Sequence, residues 1–219
     1  MGNRLMTALP RVYPILDTET LAARGLGLAT AAAAFLEGGA GILQIRHKGH
    51  WSRDVFECAT QVARLCREAG AQLVINDRAD FALLLDAGLH LGQDDLRPRN
   101  ARKLLGGEAL LGFSSHNQLQ LCAAGGEPVD YVALGPVFGT ASKRNPDAAV
   151  GVDELRRLRP LIEKPLVAIG GITRETAPDL LRAGADSLAV ISDLLPQNAS
   201  ARSLRERMEE WQRIVKTEA

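Results

Sequence analysis

The sequence predicts a single α/β domain over residues 1–219, folded as a (β/α)8 TIM barrel. Short runs of apolar and β-branched residues alternate with stretches rich in Ala, Leu, Arg and Glu, and this alternation repeats eight times. The pattern is typical of parallel strands connected by helices. Eight units of about 27 residues match the lower end of the size range of such barrels. A doubly wound open sheet is the alternative, but no G-x-G-x-x-G motif follows the first predicted strand to support it.

Eight segments have the composition of buried parallel strands, which are near-continuous runs of apolar residues. The runs L-V-A-I and L-A-V-I, which begin at Leu166 and Leu188, are the clearest cases. The predicted strands are Val12–Leu16, Ile42–Arg46, Gln72–Asn76, Leu89–Gly92, Leu110–Ser114, Tyr131–Gly135, Leu166–Gly170 and Ser187–Ser192.

Helices are expected between these strands, and some of their first residues can be read from the sequence. Ser52 and Ser200 are good N-cap residues, because a serine hydroxyl accepts a hydrogen bond from a free N–H of the first turn. Pro178 fits only in a first turn, so its helix begins near Thr176. The predicted helices are Thr20–Glu37, Ser52–Ala69, Asp80–Asp86, Pro98–Leu105, Asn117–Ala124, Val152–Leu161, Thr176–Ala183 and Ser200–Val215.

The composition excludes several classes of function. Lys plus Arg and Asp plus Glu number 26 each, so no overall field attracts nucleic acid or an anionic membrane. The longest apolar stretch, Ala29 to Leu36, is far shorter than the roughly 20 residues of a membrane span. Met1 to Arg11 has no signal-peptide pattern. We therefore expect a cytoplasmic protein with three reduced cysteines, no nucleic-acid partner and no membrane partner; a homodimer is compatible with the sequence.

A cationic strand end is the first candidate site. Gln44, Arg46 and Lys48 alternate along one predicted strand, so their side chains project together into the mouth of the barrel. A guanidinium beside an ammonium makes an anion clamp. The alternative is a solvated strand end whose charges are satisfied by nearby carboxylates.

A pair of carboxylates is the second candidate. Asp77 and Asp95 follow neighbouring strands and are expected to lie close together. Two hard oxygen ligands aimed at one point suit Mg²⁺, which keeps several waters and bridges to substrate phosphates. The alternatives are ion pairs with Arg78 or Arg97, or general acid–base catalysis.

Phosphate-binding features follow the later strands. Gly170 and Gly171 follow the seventh strand and Ser192 ends the eighth, where barrels of this type commonly bind phosphate; a plain tight turn is the alternative. The long connection from Phe138 to Gly151 carries two hydroxyl groups and a lysine, at Thr140, Ser142 and Lys143. These groups suit a phosphorylated ligand, although an exposed polar loop would have the same composition. His116 is either a general base, a substrate donor or a structural residue. Together, the four features imply one diphosphate and one phosphate substrate, with displacement of pyrophosphate.

Eight motifs, in order, closely resemble those of the thiamine-phosphate synthase family. They are L-Q-I-R-H-K, V-I-N-D-R-A-D, H-L-G-Q-D-D-L, L-G-F-S-S-H-N, Y-V-A-L-G-P-V-F, T-A-S-K, V-A-I-G-G-I and A-V-I-S, spread between about Val12 and Ser192. The resemblance implies a Mg²⁺-dependent transferase of thiamine biosynthesis. Its reaction would couple 4-amino-2-methyl-5-hydroxymethylpyrimidine diphosphate with 4-methyl-5-(2-phosphoethyl)thiazole to give thiamine monophosphate and pyrophosphate, by a dissociative mechanism.

The resemblance also implies roles for individual residues. Asp77 and Asp95 would bind the metal, and Arg46, Lys48, Ser114 and Lys143 would be the catalytic contacts to the diphosphate. The wider substrate-binding set would be Gln44, Arg46, Lys48, Asn76, Ser114, Thr140, Ser142, Lys143, Gly171, Ile191 and Ser192. The sequence departs from the family pattern at His47, Gly139 and Ser142, where the family often has Glu, Pro and Thr.

Three rival functions are less well supported by the same residues. A thiazole tautomerase of the same superfamily needs no diphosphate metal site, so Asp77, Asp95 and Lys143 argue against it. A non-catalytic barrel that binds thiamine phosphates would more naturally have lost one of these groups. A sugar-phosphate isomerase or epimerase would leave the Gln44 to Lys48 clamp unexplained.

Overall fold

Eight parallel strands close on themselves in chain order, with β1 paired to β8, which confirms the predicted (β/α)8 barrel. The structure is a computed structural model that describes residues 9–139 and 148–218. Thr140, Ser142 and Lys143 therefore lie outside the described residues. The strands are β1 Val12–Asp17, β2 Ile42–Arg46, β3 Gln72–Asn76, β4 Gly88–Leu91, β5 Leu111–Ser115, β6 Tyr131–Leu134, β7 Leu166–Ile169 and β8 Ser187–Val190.

Helices follow the strands and cover the outside of the barrel. They are α1 Thr18–Ala22, α2 Leu28–Glu37, α3 Arg53–Ala69, α4 Ala79–Leu84, α5 Pro98–Leu105, α6 Gln118–Gly125, α7 Val152–Leu158, α8 Ala177–Arg182 and α9 Ala201–Thr217, with short 3₁₀ helices at Arg159–Leu161 and Ser192–Leu194. Ser52 caps α3, Ser200 caps α9, and Pro178 lies in the first turn of α8, as predicted. In the described chain, no helix combines the length and the apolar character needed to cross a membrane.

The prediction of one helix over Thr20–Glu37 is wrong. Asp17 caps α1 by accepting a hydrogen bond from the Thr20 N–H at 2.9 Å, so helical structure begins earlier than predicted. Gly25 then adopts a φ of 67°, in the left-handed region that glycine enters without steric cost, and the chain turns before α2 begins.

Several strands end earlier than predicted. β8 stops at Val190 because Ile191 already has helical backbone angles, and β7 stops at Ile169 because Gly170 has a φ of 103°. Both departures occur at the carboxyl ends of the strands, where the backbone leaves the sheet to form the loops of the predicted site.

The barrel has two apolar layers, and the alternation of side chains along each strand separates them. Its interior is filled by Tyr13, Ile15, Ile42, Val74, Tyr131, Ala133, Val167 and Ala189, whereas the opposite strand faces pack against the helices. Gly112 makes room for Tyr131, since a Cβ there would lie 2.1 Å from the Tyr131 Cζ. On β1, β2 and β3 the next inward positions toward the carboxyl ends are polar and lie at the rim, at Asp17, Gln44 and Asn76.

Candidate active site

A cavity of about 800 Å³ opens at the carboxyl ends of the strands. Every predicted site residue that the structure describes lines it, namely Gln44, Arg46, Lys48, Asn76, Asp77, Asp95, Ser114, Gly171, Ile191 and Ser192. The structure therefore brings residues from opposite sides of the barrel to one opening. Its floor is formed by inward-facing residues such as Tyr13 and Tyr131, so the cavity is polar at the rim and closed below.

The three side chains of the predicted anion clamp point into this cavity, and each already has a protein partner. Gln44 is buried and its Nε2 donates to the Tyr13 hydroxyl at 3.0 Å. Arg46 pairs with Asp17, and Lys48 pairs with Asp77. The cations are therefore held at the rim by carboxylates, as the alternative interpretation of this strand end expected, while remaining beside the space that a diphosphate would enter.

Asp17 connects the end of β1 to this clamp. One of its oxygens accepts from the Thr20 N–H and hydroxyl, at 2.9 and 2.6 Å, while the other accepts from Arg46. The carboxylate is almost fully buried. Because the first turn of α1 holds Asp17, the Arg46 guanidinium is positioned before any ligand arrives.

Asp77 has an unusual backbone conformation that brings its carboxyl group to the rim. Its φ of 65° is left-handed, a conformation that Asp and Asn adopt more readily than most residues. The Asp77 N–H donates to the His90 carbonyl at 2.8 Å, which anchors this turn to β4. Asp95 is held from the same side, since its Oδ2 accepts the Gly92 N–H at 2.7 Å.

Asp95 and burial both affect the Asp77 carboxyl group. Burial raises the pKa of Asp77, and a hydrogen bond with Asp95 raises it further, while Lys48 opposes both effects. Two acidic groups in contact favour either a proton or a cation between them. Their oxygens fit Mg²⁺, which takes one or two carboxylates and leaves its other positions to water and phosphate. The residues present therefore fit the metal that the sequence predicts.

The side-chain amide of Asn76 is a second indication that a ligand binds in this cavity. It is buried and lines the cavity, and its Nδ2 has no hydrogen-bond partner among the described residues. A buried donor left unpaired costs about 1–3 kcal/mol, so an unpaired group of this kind in a folded protein requires an explanation. An acceptor on a bound substrate would satisfy it.

The loops after β7 and β8 form the far side of the rim. Gly170 and Gly171 have φ values of 103° and 63°, and a Cβ at Gly171 would lie 2.5 Å from the Gly139 carbonyl oxygen. The Phe138 N–H donates to the Gly170 carbonyl, and the Gly151 N–H donates to Val137. Both ends of the connection that carries Thr140, Ser142 and Lys143 are therefore anchored beside Gly171, although those three residues lie outside the described ranges.

His116 lies at the rim after β5 and contacts main chain. Its Nδ1 lies 2.5 Å from the Gly135 carbonyl oxygen, so this nitrogen carries the proton and donates. The His116 N–H in turn donates to the Gln120 side chain. These contacts orient the imidazole and favour the structural interpretation of this residue.

Comparisons with known proteins place the chain in a family. A family model described as thiamine monophosphate synthase matches residues 12–194. This chain belongs to the thiamine monophosphate synthase family. The thiamine-phosphate synthase of Koribacter versatilis is 46% identical over 191 residues, covering 85% of this chain and 90% of the relative. That of Chloroflexus aurantiacus is 40% identical over 199 residues, covering 89% and 91%.

Solved structures extend the comparison. The thiamine phosphate pyrophosphorylase from Pyrococcus furiosus superposes with a TM-score of 0.82 at 30% identity, covering 94% of this chain and 96% of that one. A tryptophan synthase α-subunit from the same organism reaches a TM-score of 0.66 at 14% identity, which is a similarity of fold alone. The resemblance to thiamine monophosphate synthases found in the sequence motifs is thus confirmed over most of the chain.

Sequence reasoning missed the hydrogen-bonded floor of this family member's cavity. The Tyr131 hydroxyl lies 3.0 Å from both the Tyr13 hydroxyl and the His90 Nδ1, and His90 Nε2 lies 2.9 Å from the Ser114 hydroxyl. This network connects Gln44 on β2 with Ser114 on β5 through the barrel interior. Strand alternation could have predicted it. Tyr13 lies four residues before Asp17 and His90 lies two residues before Gly92, so each points to the same inward face as the rim residue that follows it.

Proposed function

We propose that this protein joins 4-amino-2-methyl-5-hydroxymethylpyrimidine diphosphate to 4-methyl-5-(2-phosphoethyl)thiazole, releasing thiamine monophosphate and pyrophosphate. The observation that carries the proposal is the shared rim, where Asp77 and Asp95 lie in the same cavity as Arg46 and Lys48. A diphosphate bound with a divalent cation needs both kinds of charge, because cations contact its oxygens and carboxylates contact the metal. Family membership is consistent with this reaction.

The proposed mechanism is dissociative. The bond between the pyrimidine methylene carbon and the diphosphate oxygen breaks first, and both electrons leave with pyrophosphate. The electron-rich aminopyrimidine spreads the positive charge left on the methylene carbon. The thiazole nitrogen then attacks that carbon with its lone pair, which forms the new carbon–nitrogen bond. Neither step needs a covalent bond to the protein.

The side chains of the rim act on the leaving group. Arg46 and Lys48 would exchange Asp17 and Asp77 for diphosphate oxygens and stabilise the negative charge that grows as the bond breaks. Lys143 is proposed to do the same from its loop. When bound by Asp77 and Asp95, Mg²⁺ would supply further positive charge on the diphosphate.

The floor and the far rim orient the two heterocycles. Gln44, held by Tyr13, and Asn76, with its unpaired amide, would bind the pyrimidine diphosphate, and Ser114, held by His90, would contact it from the opposite side. Gly171, Ile191 and Ser192 would receive the thiazole phosphate, together with Thr140 and Ser142. Placing the two reactants in one cavity makes the second step effectively intramolecular.

One assay tests the proposed function. Purified protein is mixed with both phosphorylated heterocycles and Mg²⁺, and thiamine monophosphate and pyrophosphate are measured together. Equal amounts of the two products, lost when either heterocycle or Mg²⁺ is omitted, are expected. Binding of the thiazole phosphate without turnover would contradict the proposal and favour a binding protein. Isomerisation of the thiazole without release of pyrophosphate would favour a tautomerase.

A further inference from the structure

An ion pair joins the two loops that form the far side of the rim. Arg174 lies three residues after Gly171 in the loop after β7, and Asp193 directly follows Ser192 after β8. The Arg174 Nε donates to the Asp193 Oδ2 at 3.1 Å. Gly171 and Ser192 are the residues to which the thiazole phosphate is assigned above. The pair therefore connects the two sides of that phosphate site immediately behind it.

Helix α9 holds both members of this pair. The fully buried Trp211 donates its Nε1–H to the same Asp193 oxygen at 2.9 Å. Arg174 uses a second nitrogen to donate to the Glu210 carboxylate at 2.5 Å. The two loops are thus fixed to one another and to a helix outside the barrel.

Arg207 completes the cluster. It donates to the Asp193 main-chain carbonyl at 2.6 Å and to the Glu210 carboxylate at 3.1 Å. Two arginines therefore face two carboxylates, so the cluster of Arg174, Asp193, Arg207 and Glu210 is neutral. Each member is partly buried, with 15–40% of its side chain exposed, so solvent screens these contacts only in part.

Arg174 also compensates the negative charge of Asp193. Asp193 lines the same cavity as Gly171 and Ser192, so its negative charge lies beside the region proposed for a phosphate. An uncompensated carboxylate there would repel that anion. Arg174 and the Trp211 N–H oppose this repulsion by binding the Asp193 oxygen from behind.

We infer that Arg174 is a positioning residue for the thiazole phosphate, acting through Asp193 and α9 on the Gly171 and Ser192 loops. The inference rests on the proposed function, because it assumes which substrate binds there. Glu210 and Trp211 lie beyond residue 194, where the family match ends. The support comes therefore from a part of this chain that the family motifs do not include.

The test compares four variants, namely Arg174→Ala, Arg174→Lys, Trp211→Phe and the control Arg182→Ala. Arg174→Ala removes both ion pairs, and Arg174→Lys keeps a positive charge that can reach one carboxylate. Arg182→Ala is the matched control, because Arg182 at the end of α8 pairs with Glu218, which directly follows α9, but contacts neither loop of the rim. For each, kcat, the KM of both substrates and the Kd of the thiazole phosphate by calorimetry are measured, with circular dichroism to check folding.

A selective effect is expected. Arg174→Ala should raise the KM and Kd for the thiazole phosphate about tenfold, which corresponds to about 1.4 kcal/mol of binding free energy. The KM of the pyrimidine diphosphate should change less than twofold, Arg174→Lys should recover most of the loss, and Arg182→Ala should match the wild type. Trp211→Phe, which keeps an aromatic ring but removes the N–H, should shift the same KM in the same direction.

Other outcomes would overturn the inference. An unchanged Kd for the thiazole phosphate in folded Arg174→Ala, an equal rise in both KM values, or the same loss in Arg182→Ala would each reduce Arg174 to an ordinary surface ion pair. Calorimetry separates this result from failure of the proposed function. If the wild type binds the thiazole phosphate but forms no thiamine monophosphate, the proposed reaction fails, while a weaker Kd in Arg174→Ala still supports the positioning role.

Discussion

The carboxyl groups of Asp77 and Asp95 share a hydrogen bond across the ends of β3 and β4. Burial and this contact raise the pKa of Asp77, so ionising both groups opposes folding when no cation lies between them. When folding raises the pKa of a carboxyl group, the free energy of unfolding falls as the pH rises through that pKa. At neutral pH the pair is a cost to stability that a divalent cation would relieve.

We predict that Asp77→Asn lowers kcat by at least about a hundredfold, the usual scale for losing a group that stabilises developing charge. The melting temperature without Mg²⁺ should not fall, because Asn tolerates the left-handed backbone of this position and one of two like charges is removed. The rise in melting temperature that Mg²⁺ produces in the wild type should disappear. Asp80→Asn is the control, since Asp80 is exposed and pairs with Arg78.

Lys48 should contribute mainly to the reaction of the diphosphate. Its side chain is nearly half exposed and pairs with Asp77, so Lys48→Ala should leave stability almost unchanged. We expect kcat/KM for the pyrimidine diphosphate to fall about a hundredfold, since a cation that faces the departing pyrophosphate is lost. Steady-state kinetics with Lys103→Ala, an exposed lysine of α5, as the control would test this. If only the KM of the thiazole phosphate changes, Lys48 acts on that substrate and the proposed contact with the diphosphate is wrong.

The barrel and most of its rim could be predicted because they depend on local patterns. Apolar runs bounded by Gly and polar residues gave β2 and β3 their observed bounds, and alternation along β2 placed Gln44 and Arg46 on one side. Contacts between distant strands could not be predicted in the same way. Whether Arg46 meets Asp17 depends on the register of β1 against β2, which the sequence does not state.

The interior network shows the same limit more clearly. Tyr13 and Tyr131 are 118 residues apart, and only barrel closure brings their hydroxyl groups together. Each residue alone is typical of an apolar core. The ion pair between Arg174 and Asp193 is similar, because two loops and the position of α9 must be known before their charges can be paired.

Removing the Tyr131 hydroxyl should affect both stability and the site. Tyr131→Phe keeps the ring but leaves His90 Nδ1 and the Tyr13 hydroxyl each without one buried partner, which should lower the free energy of unfolding by about 1–3 kcal/mol. Because His90 also holds Ser114, the KM of the pyrimidine diphosphate should rise while that of the thiazole phosphate stays unchanged. Urea denaturation and substrate kinetics on one preparation measure both effects. Equal changes in the two KM values would indicate general loosening of the barrel.

Cys66 should be far less reactive than the other two thiols. It is buried in the main apolar core, and burial raises its pKa to about 12, whereas Cys58 and Cys122 are exposed. Thiolate is the reactive form, so at pH 8 Ellman's reagent should modify two thiols of the native protein quickly and the third only after unfolding. In Cys66→Ala, the native count should stay at two and the denatured count should fall from three to two.

The same burial predicts the alkaline limit of stability. Folded Cys66 holds its proton up to about pH 12, while an unfolded cysteine loses it near pH 9, so the stability due to this group is complete below pH 9 and is lost as the pH rises toward 12. Burial also raises the pKa of Tyr13 and Tyr131, whose contributions begin to fall above pH 10. Each group should steepen the decline by up to about 1.4 kcal/mol per pH unit. Urea denaturation between pH 8 and 11 should therefore show a shallower decline in the free energy of unfolding for Tyr131→Phe than for the wild type. Parallel curves would mean that Tyr131 ionises as easily in the folded protein as in the unfolded chain.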